Sequence, residues 1–389
     1  MISVRRAEAD EFAGLRAEWN GLLARGRARS PMLTWEWAYS WWEAYRDADA
    51  RRELRVLTAR GADGELLGLA PLVLRRWRQF GLSWRRLEFI GTGEAEADET
   101  CSEFLDLIVD ADRRPQVVAA LTEALRSDGE WDDLVCRDVR REESAAAQVL
   151  RSLEADPNIG PVEESGHARC PFVALPGSWE EYLATLSRNS RRLVRHKRRQ
   201  LEAAGQIGFV CAETRDETQR AMEGFARLHQ QRWQAERQGG CFASGPFREF
   251  LLRLTPRLAE RGAVRIATLS LNAEPVAAYY LLCHDRATYY YNSGLDLARF
   301  AELSPGSVCL GCIVEDAIRR GEREFHFFKG GADSYKYHWT DRAVPVFSLR
   351  VRRRGWRLAL CALAERLRGR AAGMRGRSAG GVRRRAAGS

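Results

Sequence analysis

The sequence lacks any long hydrophobic run. No stretch approaches the roughly 18 apolar residues that a membrane-spanning helix needs, and the longest, Leu66 to Leu74, is strand-length and contains Pro71. The opening residues MISVRRAEADEF hold no apolar stretch followed by a small-residue cleavage site, so no secretory signal is expected. Glycine (33) and proline (12) are too few for a collagen-like or low-complexity chain. The nine cysteines are odd in number and mostly scattered singly, which argues against a disulfide framework and for a reduced, cytoplasmic protein. The single Cys-x-x-Cys, Cys309 to Cys312, has no second pair to complete a zinc site and reads as two small residues on one buried helix face. The six histidines form no metal-ligand spacing, so no metal is expected. What the chain does have is 45% hydrophobic residues, with 12 Trp, 15 Phe and 10 Tyr, which excludes a wholly disordered chain. At roughly 100–200 residues per domain, 389 residues predict two.

Positive charge is concentrated at one end. The formal net charge is +9, yet residues 351–389 hold 12 Arg against one acid, Glu365, leaving the rest of the chain slightly negative. The high isoelectric point therefore describes a tail and does not by itself point to nucleic acid.

The remainder alternates between strand and helix patterns. In the first half, Ile2–Arg6 reads as a strand, Asp10–Arg25 as a helix, and Pro31–Tyr45 as a Trp-rich helical segment. Leu54–Leu74 reads as a hairpin around Gly61-Ala62-Asp63-Gly64. Leu87–Ile90, Phe104–Val109 and Asp132–Cys136 read as strands, Arg113–Arg126 and Glu143–Glu154 as helices, and Cys170–Leu175 as extended. Ser178-Trp179-Glu180-Glu181 is a capping box that opens the second half. There, Ile207–Glu213 predicts a strand, and Asp216–Arg237 and Pro246–Glu260 helices. Strands follow at Val264–Ser270, Val276–His284 and Ala287–Ser293, then a helix from Ser307 to Arg320 and strands Glu324–Phe328 and Phe347–Val351. Arg55-Val56-Leu57-Thr58 and Arg265-Ile266-Ala267-Thr268 occupy the same point of their hairpins, as two similar α/β halves would have it.

Three segments carry candidate chemistry. Ser304, Pro305, Gly306 and Ser307 open a helix after a strand, where unpaired N–H groups and the dipole suit phosphate. Asp333, Tyr335, Lys336 and His338 crowd together after a Gly-Gly break at a strand's end, a place for groups that stabilise an oxyanion or carry a proton. Residues 187–199 hold seven Lys/Arg and no acid. Leu186, Leu193 and Leu201 give this stretch one apolar stripe, so it reads as an amphipathic helix whose basic face is either solvated or matched by an anion.

These residues resemble the acetyltransferase domain of the CelD/BcsL family, a branch of the GNAT superfamily. The resemblance rests on ordered motifs: Leu186-Ser187-Arg188-Asn189 with the basic helix, Leu228-His229-Gln230-Gln231-Arg232-Trp233, Tyr291-Asn292-Ser293-Gly294-Leu295-Asp296 leading to Ser304-Pro305-Gly306, and Phe325-His326-Phe327 through Gly331 to Tyr335-Lys336 and Trp339. The Trp-rich opening and Phe104-Leu105-Asp106-Leu107 resemble the family's first half. The resemblance implies an α/β fold of two tandem GNAT-like (acyl-CoA N-acyltransferase) units, similar to the FemABX aminoacyltransferases, with mixed, mostly antiparallel sheets flanked by helices. Residues 1–175 and 176–352 would be the two units and 353–389 a basic tail. It implies acyl transfer from acetyl-CoA or another acyl-CoA to an amine or hydroxyl of a small-molecule or saccharide acceptor, in bacterial exopolysaccharide or cellulose biosynthesis. Ser304, Pro305, Gly306 and Ser307 fall where such folds bind the pyrophosphate. Lys336, with Asp333 and Tyr335, falls near the transferred group. Arg188, Asn189, Arg192, Trp233, Tyr291 and Asn292 are the expected substrate contacts. The chain departs from the family in carrying His326 where Asp is frequent, Ala332-Asp333 where two acids are frequent, and no glycine-rich pyrophosphate signature.

Two other readings stand beside this one. An aminoacyl group could come from tRNA, the one case in which nucleic acid is a partner, or the chain could be a non-catalytic accessory of a polysaccharide system. In the tail, Trp356, Leu360, Leu363 and Leu367 form one stripe of a helix that either packs on the second unit or meets an anionic membrane surface, ahead of a basic end too poor in apolar residues to fold.

Overall fold

A computed structural model describes residues 1–79, 81–140, 144–235, 240–331, 333–355 and 359–360. The first half runs β1 (Ser3–Arg6), α1 (Ala9–Gly14), α2 (Arg16–Arg25), α3 (Trp35–Tyr45), β2 (Arg52–Arg60), β3 (Leu66–Gln79), β4 (Leu82–Phe89), β5 (Ile108–Val109), α4 (Arg114–Ser127), β6 (Asp133–Val139), α5 (Ala145–Leu153) and β7 (Glu163–Ala174). The second runs α6 (Trp179–Thr185), α7 (Arg188–Ala204), β8 (Ile207–Ala212), α8 (Arg215–Ala235), α9 (Gly245–Ala259), β9 (Val264–Leu271), β10 (Glu274–His284), β11 (Ala287–Leu295), α10 (Leu297–Phe300), α11 (Pro305–Arg319), β12 (Glu324–His326) and β13 (Ala343–Arg352). Hydroxyl caps fix several helix starts: the side chains of Thr34, Ser144, Ser187 and Ser244 accept N–H groups from the first turns of α3, α5, α7 and α9. In the capping box, Ser178 accepts from Glu181 N, while the Glu181 carboxylate reaches back to Gly177 N.

All strands join one sheet in the order β1-β2-β3-β4-β6-β13-β7-β12-β11-β10-β9-β8, with β5 beside β3. Either end of that list reads inward through equivalent strands. Among the described residues the only parallel pairings are β4 with β6 and β11 with β12, one in each half. The hairpin repeat is realised in the same frame. Arg55 pairs with Glu130, just before β6, and Arg265 pairs with Glu322, just before β12.

At the centre the last strands are exchanged. β7, from the first half, pairs with β12, and β13, from the second, pairs with β6. The two exchanged strands pair with each other from Ala343↔Pro171 to Arg350↔Glu163. The sheet therefore crosses the boundary expected at 175/176 without a break. Both exchanged strands are longer than the extended segments read at 170–175 and 347–351, because partners on both sides satisfy residues with little apolar alternation. The Phe104–Val109 stretch, expected as a strand, pairs only at Ile108–Val109.

The halves also meet through α3 and α9. Trp37 packs edge-on against Phe250 and Tyr291 at 4.9 and 5.4 Å between ring centres. Buried Glu36 accepts from Arg16 and Asn20 of its own half and from Arg261 of the other. In the second half, β10 alternates: Tyr279 and Leu281 face α7 and α11, while Tyr280 and Leu282 face α8 and α9. Cys309 and Cys312 are buried free thiols on α11. No single described helix is long and apolar enough to cross a membrane. Trp356, Leu363 and Leu367 of the tail stripe lie outside the described residues, and Leu360 is exposed.

Val346, Phe347, Leu349 and Val351 of β13 are all buried. At roughly 1.5–3 kcal/mol each, removing them costs about as much as a domain's entire stability of about 5–15 kcal/mol. A chain ending at Asp341 is therefore expected to lose its cooperative thermal transition in near-UV circular dichroism. The intact chain should unfold once, with tryptophan fluorescence and far-UV signals coincident in denaturant. Two separated transitions would show that strand exchange does not couple the halves.

Candidate active site

β11 and β12 pair only from Ala287–Tyr289 to Glu324–His326 and then part. Helix α11 begins at the mouth of this notch. Ser304, in the left-handed region at φ 50°, turns the chain into its first turn. The Tyr279 hydroxyl donates to the Gly306 carbonyl at 2.9 Å. A side chain on Gly306 would press the Leu295 methyls at 3.0–3.1 Å, so the glycine is needed for packing. Lys197 of α7 donates from Nζ to Ser307 Oγ at 3.0 Å. It is half-buried, has no carboxylate partner among the described residues, and has its pKa lowered by burial. An ammonium at the positive end of a 15-residue helix makes this mouth attractive to phosphate.

Inside the notch lies a group of hydroxyls. Tyr290 Oη is 2.8 Å from Ser293 Oγ, and Tyr335 donates to Tyr290 Oη at 3.2 Å. Arg232 donates to Ser293 Oγ at 3.1 Å. Burial raises the pKa of Tyr279 and Tyr335, so both stay neutral and able to donate.

On the other face of the strands is a cavity of about 740 Å³, walled by residues 96–101 of the first half and by His229, Trp233, Cys241, Tyr291 and Asn292 of the second. Tyr291 donates to the Thr100 carbonyl at 3.0 Å, tying the walls together. Trp233 Nε1 donates to His229 Nε2 at 2.8 Å, which leaves the ring proton on Nδ1, buried without a hydrogen-bond partner. Cys241 Sγ lies 3.3 Å from the same Nε2, and Asn292 donates to that sulfur at 3.5 Å. Burial pushes His229 down to about 4 and Cys241 up to about 11, so both are neutral at physiological pH. Glu96, Asp98 and Glu99 supply the charge of this cavity.

Lys336 is occupied by the main chain. Its ammonium donates to the carbonyls of Phe327 (2.6 Å), Phe328 (3.4 Å) and Lys329. It thereby holds a segment in which Phe328 takes a left-handed φ of 56°. Burial lowers its pKa. Asp333 is exposed. Beside this segment, buried Glu103 accepts from Lys329 N at 2.8 and 3.1 Å and from the Cys170 thiol at 3.2 Å, and burial pushes its pKa up to about 7.

The expected substrate contacts divide between two places. Trp233, Tyr291 and Asn292 line one cavity, whereas Arg188, Asn189 and Arg192 are exposed on α7, on the opposite face of the strands. Sequence reasoning missed Lys197 and the His229–Cys241 pair. Lys197 had a signal: it stands four residues from both Leu193 and Leu201, on the inward stripe of a helix otherwise basic on its outer face. Nothing local marked the 96–101 wall.

Residues 188–337 match the family model described as an acetyltransferase (GNAT) domain. That span contains α7, the notch and most of the second-half wall of the cavity. Several solved structures share the fold over nearly the whole chain. FemX covers 90% of this chain and 96% of its own at 12% identity, with a TM-score of 0.55. The L-PGS of Bacillus licheniformis covers 93% and 97% at 14% identity, with a TM-score of 0.52. A protein of unknown function from Bacteroides thetaiotaomicron covers 91% and 100% at 11% identity, also at 0.52. No curated protein matches the sequence. The chain thus shares its α/β fold with these structures over nearly its whole length, and residues 188–337 are similar to GNAT acetyltransferase domains.

Removing the Lys336 ammonium leaves three carbonyls without their donor. Lys336→Ala is expected to lower stability by about 2 kcal/mol, the scale of losing hydrogen bonds to a charged group, as measured by urea denaturation. An unchanged midpoint would show that the ammonium is not needed as a clamp.

Proposed function

We propose that the protein is an acyltransferase. An acyl-CoA, acetyl-CoA first among the candidates, binds in the notch of the second half, and its acyl group passes to an amine held in the cavity between the halves. The observation that carries this reading is Lys197 Nζ at 3.0 Å from Ser307 Oγ, beside the first turn of α11 and at the mouth of the notch. That mouth suits the donor's pyrophosphate, as the resemblance implied for Ser304 to Ser307. The match of residues 188–337 to the GNAT acetyltransferase model supports acyl-CoA as the donor class.

The cavity supports an amine acceptor. Glu96, Asp98 and Glu99 attract an ammonium, and Trp233 and Tyr291 offer aromatic surface to it. Before attack the ammonium must lose a proton, which the carboxylates can take directly or through water. The amine nitrogen then bonds to the thioester carbon, the carbon–sulfur bond breaks, and the departing thiolate is protonated. The hydroxyls of Tyr290 and Tyr335 in the notch can donate hydrogen bonds to that thiolate, whose proton comes from the attacking nitrogen. His229 is not the base in this arrangement, because its Nε2 lone pair is already taken by Trp233. Lys336 acts as a positioning residue for the 327–329 segment. A saccharide acceptor and a place in exopolysaccharide production rest on the family resemblance.

One observation favours a second reading, transfer of an aminoacyl group from tRNA. Arg188, Arg191, Arg192 and Arg199 of α7 have no ion-pair partner among the described residues and stand on the helix that supplies Lys197 to the notch. Loss of activity on RNase treatment, with acetyl-CoA inert, would establish it in place of the first.

Lys197→Gln is expected to weaken acetyl-CoA binding by about 10- to 100-fold, the range for one charge-assisted contact of about 1.5–3 kcal/mol, with little change in thermal midpoint. Calorimetric titration of parent and variant checks this. It is a cleaner test than Gly306→Val, where a side chain would also strike Leu295. Equal affinities would remove the donor from this site.

A further inference from the structure

The first half has a notch of its own, which the proposed reaction does not use. β4 and β6 run parallel from Arg86–Glu88 to Asp133–Val135 and then part, as β11 and β12 do. Where they part lies a cavity of about 250 Å³, several times the roughly 30 Å³ that a water takes in the liquid. Gly91, Thr92 and Gly93 line it from the loop after β4, Arg137 and Asp138 from the end of β6, and Lys329 from the second half. The loop needs its glycines. Gly91 and Gly93 have φ of +90° and +81°, and a Cβ would fall 2.7 Å from Ser102 Oγ in the first and 2.0 Å from Glu88 Oε1 in the second.

The charges in this cavity do not balance. Arg137 is half-buried and has no hydrogen-bond or ion-pair partner among the described residues. Asp138 is matched by Lys329, whose Nζ donates to Oδ2 at 2.8 Å. Glu88, behind Gly93, is fully buried and makes no hydrogen bond to Arg137: both its carboxyl oxygens are unpartnered, and burial raises its pKa against the pull of Arg86, Arg137 and Arg75. Glu99 stands exposed at the rim, where water screens it. The Ser348 hydroxyl also lines the cavity and has no partner among the described residues. A guanidinium that has given up part of its hydration without a counter-charge is unfavourable unless a ligand supplies one.

We propose that this cavity is an anion site, taking the carboxylate or phosphate group of a small molecule on Arg137, with Lys329 and Ser348 in support. Two sources share that chemistry: an acidic group on the acceptor itself, or a separate small effector. The acceptor could reach, because Glu99 lines both this cavity and the larger one, and the segment 99–102 is the wall between them.

Inorganic phosphate is the probe, titrated calorimetrically into the whole protein and into Arg137→Gln and Lys197→Gln. Saturable binding that survives Lys197→Gln and weakens at least about tenfold in Arg137→Gln is expected. Equal phosphate affinity in Arg137→Gln and parent, or no saturable binding in either, overturns the site. Crystals of the parent soaked in tungstate give a readout that needs no variant: anomalous density beside Arg137 supports the proposal, and density only elsewhere defeats it. The source is then read with acetyl-CoA and two amines. A lower KM for phosphoethanolamine than for ethanolamine, erased by Arg137→Gln, assigns the site to the acceptor. Equal KM values, with phosphate shifting both rates, assign it to an effector. Absence of transfer to either amine would count against the acyltransferase reading and leave the binding result standing.

Discussion

The pairing of β7 with β13 is the constraint on which the rest of the structure depends. Each half lends its last strand to the other, so the inner edge of each half's sheet is completed by foreign chain. β12 is only three residues long, and what holds it in line is β7 on one side and β11 on the other. β6 is held in the same way by β13 and β4. A notch forms in each half because the parallel pair separates on one side while the exchanged strand keeps its neighbour fixed on the other. The exchange also removes two inner edges that would otherwise present unpaired backbone groups.

The same frame carries different chemistry in its two notches. In the second half, a long helix, an ammonium and a cluster of hydroxyls meet where the strands part. In the first, a glycine loop replaces the helix, and a guanidinium without a hydrogen-bond or ion-pair partner among the described residues replaces the ammonium paired to serine. Fold alone would not distinguish them. The distinction comes from particular side chains: Lys197 and Ser307 in one, Arg137 and Ser348 in the other. The seam between them is charged on both sides, since Lys329 of the second half meets Asp138 of the first.

Much of this was legible in the sequence. The Arg-x-x-Thr repeat marked equivalent strands, the Trp-rich run marked the helix that joins the halves, and the capping box at Ser178 marked the start of α6. These signals are local, and local signals survive folding. Strand exchange was not legible, because periodicity says that a segment is extended but not which strand it will lie beside. The basic helix was recognised, yet its outward arginines were read as substrate contacts while the inward lysine was not separated from them. The cavity wall at 96–101 depends on a contact from Tyr291 to a main-chain carbonyl about 190 residues earlier in the chain, which no spacing rule encodes.

Lys336 shows why residue type and neighbourhood do not fix a role. An ammonium beside a glycine break at a strand's end has the composition of a catalytic group. Here the chain just past β12 turns away from the sheet, with Phe328 in a left-handed conformation that costs a bulky residue free energy. That turn leaves three consecutive carbonyls in need of donors, and one lysine supplies them. On the same segment, Lys329 gives its N–H to Glu103 and its ammonium to Asp138, both from the first half. The turn that ends β12 is thus held by one cation from within its own half and by two carboxylates from the other. The second half's notch and the first half's cavity share this support, so the two sites are joined by their scaffold even if no ligand spans them.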